Sequence, residues 1–77
     1  ILSSANKLTD ALRDYDKALA MGHQTFQLYN GRAVVMVKMR NYADAIEDFT
    51  RAIRLRLDNP NAYKDRGVTY TLMGKFQ

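Results

Sequence analysis

Hydrophobic and polar positions along the chain repeat with a helical period. In the stretch NYADAIEDFTRAI, Ala45, Ile46, Phe49, Ala52 and Ile53 recur at the spacing of one helix face, with charged residues between them. The stretch LTDALRDYDKAL, residues 8–19, carries the same stripe, and no segment alternates as a strand would. Local signals set the expected boundaries. A helix remnant over residues 1–5 is followed by a turn near Asn6 and Lys7. A helix over residues 8–21 ends at Gly22, which tolerates the left-handed conformation past a helix end. Thr25 caps a helix over residues 26–39. Asn41, with Asp44 three residues on, reads as a variant capping box opening a helix that reaches about Arg56. Asn59 and Pro60 supply a cap and first-turn proline for residues 60–73. Gly74 then marks a turn, and Phe76 starts another helix.

The stripes contain a puzzle, because Ala45 and Ala52 put the smallest apolar side chains where a core has room for larger ones. Sliding the chain along itself by 34 residues explains the choice. Asp10, Ala11, Leu12 and Asp14 then fall under Asp44, Ala45, Ile46 and Asp48, and Tyr15, Lys17, Ala18 and Leu19 under Phe49, Arg51, Ala52 and Ile53. A separate segment keeps the same shift, matching Tyr29 to Tyr63, Arg32 to Arg66, Ala33 to Gly67, Met39 to Met73 and Tyr42 to Phe76. Two segments agreeing on one period mark an internal repeat of the length used by helix–turn–helix solenoids.

These residues resemble the tetratricopeptide repeat (TPR) family. Tyr29, Arg32, Ala33 and Met36, then Ala45, Phe49 and Ala52, follow its pattern; Tyr63, Arg66, Gly67 and Tyr70 begin a further copy, and Ala11, Tyr15 and Ala18 end a preceding one. The chain departs from that pattern where Arg32 and Arg66 replace an aliphatic residue, and where His23 and Leu57 stand in place of a proline. The resemblance implies an all-α fold, an α-solenoid wound as a right-handed superhelix of antiparallel helix–turn–helix repeats. Residues 1–25 would be the second half of one repeat, 26–59 a complete repeat and 60–77 the first half of another, all within one continuous domain. Small residues at Ala11, Ala18, Ala33, Ala45, Ala52 and Gly67 would let helices approach, while Tyr15, Tyr29, Phe49, Tyr63 and Tyr70 fill the remaining space.

Composition allows one small domain. The 77 residues include no cysteine, so neither a disulfide framework nor a thiolate metal site is indicated. No apolar run approaches the ~20 residues of a membrane span, and ILSSANK lacks the layout of a secretory signal. The net charge of +4 has mostly structural readings. Asp44, Glu47 and Asp48 come early in their helix and Arg51, Arg54 and Arg56 late, which suits the helix dipole. No one-sided basic stripe marks a nucleic-acid footprint.

Catalytic chemistry finds no constellation. His23 is the single histidine and has no ligand set around it, the glycines are dispersed, and Ser3 and Ser4 lack an activating base. No cofactor or metal is expected. What the resemblance implies instead is a concave groove lined by first helices, with Gln27, Asn30, Gly31, Val34, Val37 and Lys38 from one repeat and Asn61, Lys64, Asp65, Val68, Thr71 and Leu72 from the next. An apolar floor of Val34, Val37, Val68 and Leu72 suits an amphipathic or extended protein segment. A chaperone-carboxylate clamp is not expected, because Gly31, Asn61 and Asp65 stand where it wants Asn, Lys and Arg, and Asp65 would repel a carboxylate. The expected function is a non-catalytic interaction scaffold within a longer chain or complex, cytoplasmic, with cytoskeletal, ciliary and nuclear settings open. The alternative is a docking or regulatory array of an enzyme such as a glycosyltransferase. The absence of an initiator methionine, and the apolar Ile1, Leu2, Tyr70, Leu72, Met73 and Phe76, lead to the expectation that further repeats or assembly subunits cover both ends.

Overall fold

A computed structural model describes the backbone of residues 4–76 and the side chains of residues 7–74. Ile1, Leu2 and the side chain of Phe76 lie outside the described residues. Those described form helices α1 (Ser4–Ala20), α2 (Phe26–Lys38), α3 (Tyr42–Leu55) and α4 (Pro60–Phe76), with no strand among them.

Helix ends follow the local chemistry in some places and overrule it in others. Gly22 adopts a φ of 93°. The amide of His23 donates to the Ala18 carbonyl at 3.3 Å and that of Gly22 to Leu19 at 3.1 Å, the bond pair of a Schellman ending. Thr25 Oγ1 accepts from the Leu28 amide at 3.3 Å and starts α2. Asn59 Oδ1 accepts from the Ala62 amide at 3.3 Å, with Pro60 in the first turn of α4.

Three boundary expectations are corrected. The first helix is not broken at Asn6 and Lys7, because neither residue is a breaker and α1 runs through both. Helix α4 likewise continues through Gly74, where an interior glycine costs about 1 kcal/mol but does not enforce a turn. At Asn41 no capping box forms and the side chain makes no cap hydrogen bond. The Asn41 amide, which a box would give to the third helical residue, instead donates to the Met36 carbonyl at 2.8 Å. That bond and Arg40 N–H to Val37 at 3.0 Å make a second Schellman ending, with Arg40 at a φ of 65° in the role Gly22 plays earlier.

Helix α3 is central, packed against α2 on one side and α4 on the other, while α1 packs on α2 and α2 also touches α4. The Cα atoms fill a slab of 40 × 35 × 16 Å. Ala33, Ala45, Phe49, Ala52, Ile53 and Ala62 form one buried cluster, with Phe26, Tyr29, Val34, Met36 and Val37 packed against it. Ala33, Ala45, Ala52 and Ala62 have no exposed surface, so small side chains occupy the places where three helices meet. Phe49, also fully buried, supplies the bulk between them.

A cleft between the second and fourth helices, braced by an arginine

Val34, Val37 and Lys38 on α2 face Asp65, Val68 and Thr69 on α4 across a cleft of about 200 Å³, with Phe49 of α3 behind it. Helical spacing puts Val34, Val37 and Lys38 on one face of α2, and Asp65, Val68 and Thr69 on one face of α4. The Thr69 hydroxyl donates to the Asp65 carbonyl at 2.7 Å, so its polar group is satisfied within the helix and the wall stays mainly apolar. Lys38 and Asp65 contribute opposite charges, and neither side chain makes an ion pair among the described residues.

Of the other groove residues inferred from the sequence, Gln27, Asn30, Asn61, Lys64 and Leu72 do not line this cleft. Asn30 Oδ1 is buried and has no hydrogen-bond partner among the described residues. Gly31 faces α1 instead: a Cβ there would come 2.5 Å from the Tyr15 hydroxyl, so the absent side chain is what admits that ring. Phe49 and Thr69 were not expected as lining. Phe49 reads as a packing residue and serves as both, and a threonine with an internally bonded hydroxyl behaves as an apolar surface.

Among the residues expected to pack between repeats, Ala33, Ala45, Phe49 and Ala52 are buried, while Ala11, Tyr15, Ala18 and Tyr29 are half-buried. Tyr63 and Tyr70 are 46% and 56% exposed, and a Cβ on Gly67 would meet open space.

A charged group inside the structure holds the cleft's first wall. Arg32 of α2 donates through Nε and Nη2 to the two carboxylate oxygens of Asp48, at 2.6 and 2.9 Å, and through Nη1 to Asp16 of α1 at 2.9 Å. Asp48 is fully buried and the Arg32 side chain is 19% exposed. Arg51 adds a second cation, donating to Asp48 Oδ1 at 2.7 Å. Two-pronged hydrogen bonding to Asp48 holds the Arg32 guanidinium further above its ordinary titration range against the opposing desolvation, with Asp16 adding to the effect. A raised pKa contributes stability that is complete below the ordinary arginine range and is lost only as pH rises beyond it. The arginine therefore adds no pH dependence near neutrality. Arg32 also lies 5.7 Å from the centre of the Tyr29 ring, and Arg66 5.6 Å from that of Tyr63.

Of the arginines that the sequence presents as departures from an aliphatic pattern, Arg32 thus ties α2 to α1 and α3, and Arg66 ties α4 to α3 through the Thr50 hydroxyl. The signal was available in the letters. Arg32 and Arg66, and Asp14 and Asp48, recur at the same shift with opposite charge.

Comparison with known proteins gives a partial placement. No family model and no solved structure matches the chain. It is 32% identical over 71 residues to the 58 kDa phosphoprotein of Plasmodium berghei, an overlap of 92% of this chain and 17% of that protein. It is 27% identical over 74 residues to the TPR repeat-containing thioredoxin TDX of Arabidopsis thaliana, covering 96% of this chain and 20% of that protein. The chain therefore spans about a fifth of the length of these relatives. A distant relative carries TPR repeats, and four mutually packed helices are compatible with a unit of that kind.

Proposed function

We propose that the chain is part of a TPR array, a right-handed helical solenoid, and that it serves as a non-catalytic scaffold for protein–protein interaction. In this reading the α2–α4 cleft receives an extended or amphipathic segment of a partner protein. The observation that carries the proposal is the cleft itself. It joins Val34, Val37 and Val68 into an apolar wall and sets Lys38 and Asp65 beside it, without ion-pair partners among the described residues. Apolar anchors would enter between the helices, and the two opposite charges would fix the direction of the segment. The 34-residue repeat and the TPR-containing relative support the architecture.

A second reading is that the array docks substrates for, or regulates, an enzyme domain in the same chain. The Arabidopsis relative, a TPR repeat-containing thioredoxin, is the observation in its favour.

Peptides selected from a display library against the chain, mapped by amide chemical shifts, test the binding surface. Shifts should centre on Val34, Val37 and Val68, and Val68→Asp should weaken binding by about tenfold or more. Shifts centred on Arg51, Arg54 and Lys17 would place recognition on the opposite face and defeat the proposal.

A further inference from the structure

A pocket of about 200 Å³ opens where the start of α2 meets the end of α3, lined by Gln24, Tyr29, Arg51, Arg54 and Leu55. It shares no lining residue with the α2–α4 cleft. All five residues lie on the two inner helices or in the loop ahead of them, away from both ends of the sequence. Spacings of three and four residues bring Arg51, Arg54 and Leu55 to one side of α3. Tyr29, half-buried, and Leu55, 53% exposed, form the apolar part of the lining.

Every polar group in that lining can donate a hydrogen bond, and none is a carboxylate. The Arg54 and Gln24 side chains and the Tyr29 hydroxyl make no hydrogen bond or ion pair among the described residues. Arg51 is held in place by Asp48 at 2.7 Å and approached by the exposed Glu47 at 3.7 Å. Asp48 is itself matched by Arg32, so the pocket keeps much of the charge of Arg51.

The 34-residue repeat accounts for only part of this set. Lys17, Met21 and Tyr63 match Arg51, Leu55 and Tyr29 in character, whereas Arg54 answers to Ala20 and Gln24 to Asp58. Arg54 and Gln24 are therefore not demanded by the repeat, and they complete the donor set.

We propose that this pocket takes the side chain of a phosphorylated tyrosine in a partner protein. Arg54 and Arg51 hold the phosphate, and the ring lies against Tyr29 and Leu55. A phosphate brings three acceptor oxygens and a charge near −2, which suits two guanidiniums, an amide and a hydroxyl better than a carboxylate does. The aromatic body occupies the apolar part of the lining, which a phosphoserine is too short to fill. Recognition here requires the modification, so it is independent of the unmodified segment proposed for the cleft.

Capped glycine pentapeptides with a central phosphotyrosine, phosphoserine or tyrosine, titrated into the chain and followed by amide chemical shifts, test this. The phosphotyrosine peptide should shift Gln24, Tyr29, Arg54 and Leu55. The phosphoserine peptide should bind at least about tenfold more weakly, and the tyrosine peptide should not bind. Arg54→Gln should weaken phosphotyrosine binding by about tenfold or more, and Arg54→Lys, which keeps the charge without the fork, should recover only part of it. Arg13→Gln removes the same charge outside the pocket and should leave binding within about twofold; circular dichroism checks the helicity of each variant. No binding of the phosphotyrosine peptide, equal binding of the phosphoserine peptide, or equal loss in Arg13→Gln and Arg54→Gln would each overturn the proposal. So would phosphotyrosine shifts centred on Val34, Val37 and Val68, whereas failure of unmodified peptides to bind the cleft would count against the cleft reading alone.

Discussion

The central helix pair and the flanking helices carry one pattern in two states of completion. Phe49, Ala45, Ala52 and Asp48 are buried in α3, whereas their counterparts Tyr15, Ala11 and Ala18 in α1 are half-buried and Asp14 is exposed. Ala33 of α2 is enclosed, whereas Gly67 of α4 is open. The same letters therefore do not fix the same burial. A repeat pattern specifies a capacity for contact, and the neighbour that meets it decides how much free energy that capacity yields.

Paired substitutions at equivalent positions, followed by urea unfolding, should expose that difference. Phe49→Ala removes a fully buried ring between three helices and should cost about 3–5 kcal/mol, whereas Tyr15→Ala should cost about 1–2. Equal losses would show that burial does not separate the copies. Asp48→Asn leaves Arg32 and Arg51 facing an amide in a dry site. It should cost about 2–3 kcal/mol, below the range for a fully enclosed pair because Arg32 is partly solvated. Asp14→Asn should stay within about 0.5 kcal/mol of wild type.

Overpacking is expected next in size. Ala52→Leu or Ala45→Leu should destabilise by about 1–3 kcal/mol, and Ala18→Leu by less than about 1. A neutral Ala52→Leu would mean that the alanines do not set the helix separation. The smallest effect concerns the two αL endings. Arg40→Gly should stabilise by about 1 kcal/mol, since the left-handed conformation is costly for a residue with a Cβ. Gly22→Arg should destabilise by a similar amount. If Arg40→Gly proved destabilising, the arginine side chain would be contributing more than its backbone strain takes away.

The helix interiors were readable because the apolar stripe and the 34-residue shift are redundant signals, each repeated along the chain. Gly22, Thr25 and Asn59 were readable as boundary residues because their preferences act locally. Arg40 was not, since arginine has no leaning toward the left-handed region and packing of α2 against α3 imposes the turn. The run of α1 through Asn6 and of α4 through Gly74 is not legible locally for the opposite reason: asparagine is no helix breaker and a lone glycine only a weak one, so neither residue stops a helix by itself.

For the cleft, Val34, Val37, Lys38, Asp65 and Val68 follow from a family resemblance placed on a helix face, while Phe49 and Thr69 required knowing how deeply α3 sits between α2 and α4. The Arg32 brace was obscured by comparison with an aliphatic norm, although its charge partner stands 16 residues away in the sequence.

The shared guanidinium of Arg32 also has an evolutionary consequence. Its two edges impose unequal demands on their partners. The backward edge is met by Asp16 for Arg32 and by Thr50 for Arg66, so that position needs an acceptor oxygen and tolerates loss of charge. The forward edge meets a buried carboxylate that also satisfies Arg51, and no neutral side chain provides four lone pairs there. In chains descended on this plan, the backward position should therefore drift among Asp, Thr, Ser and Asn, while Arg32 and Asp48 should change only together or not at all.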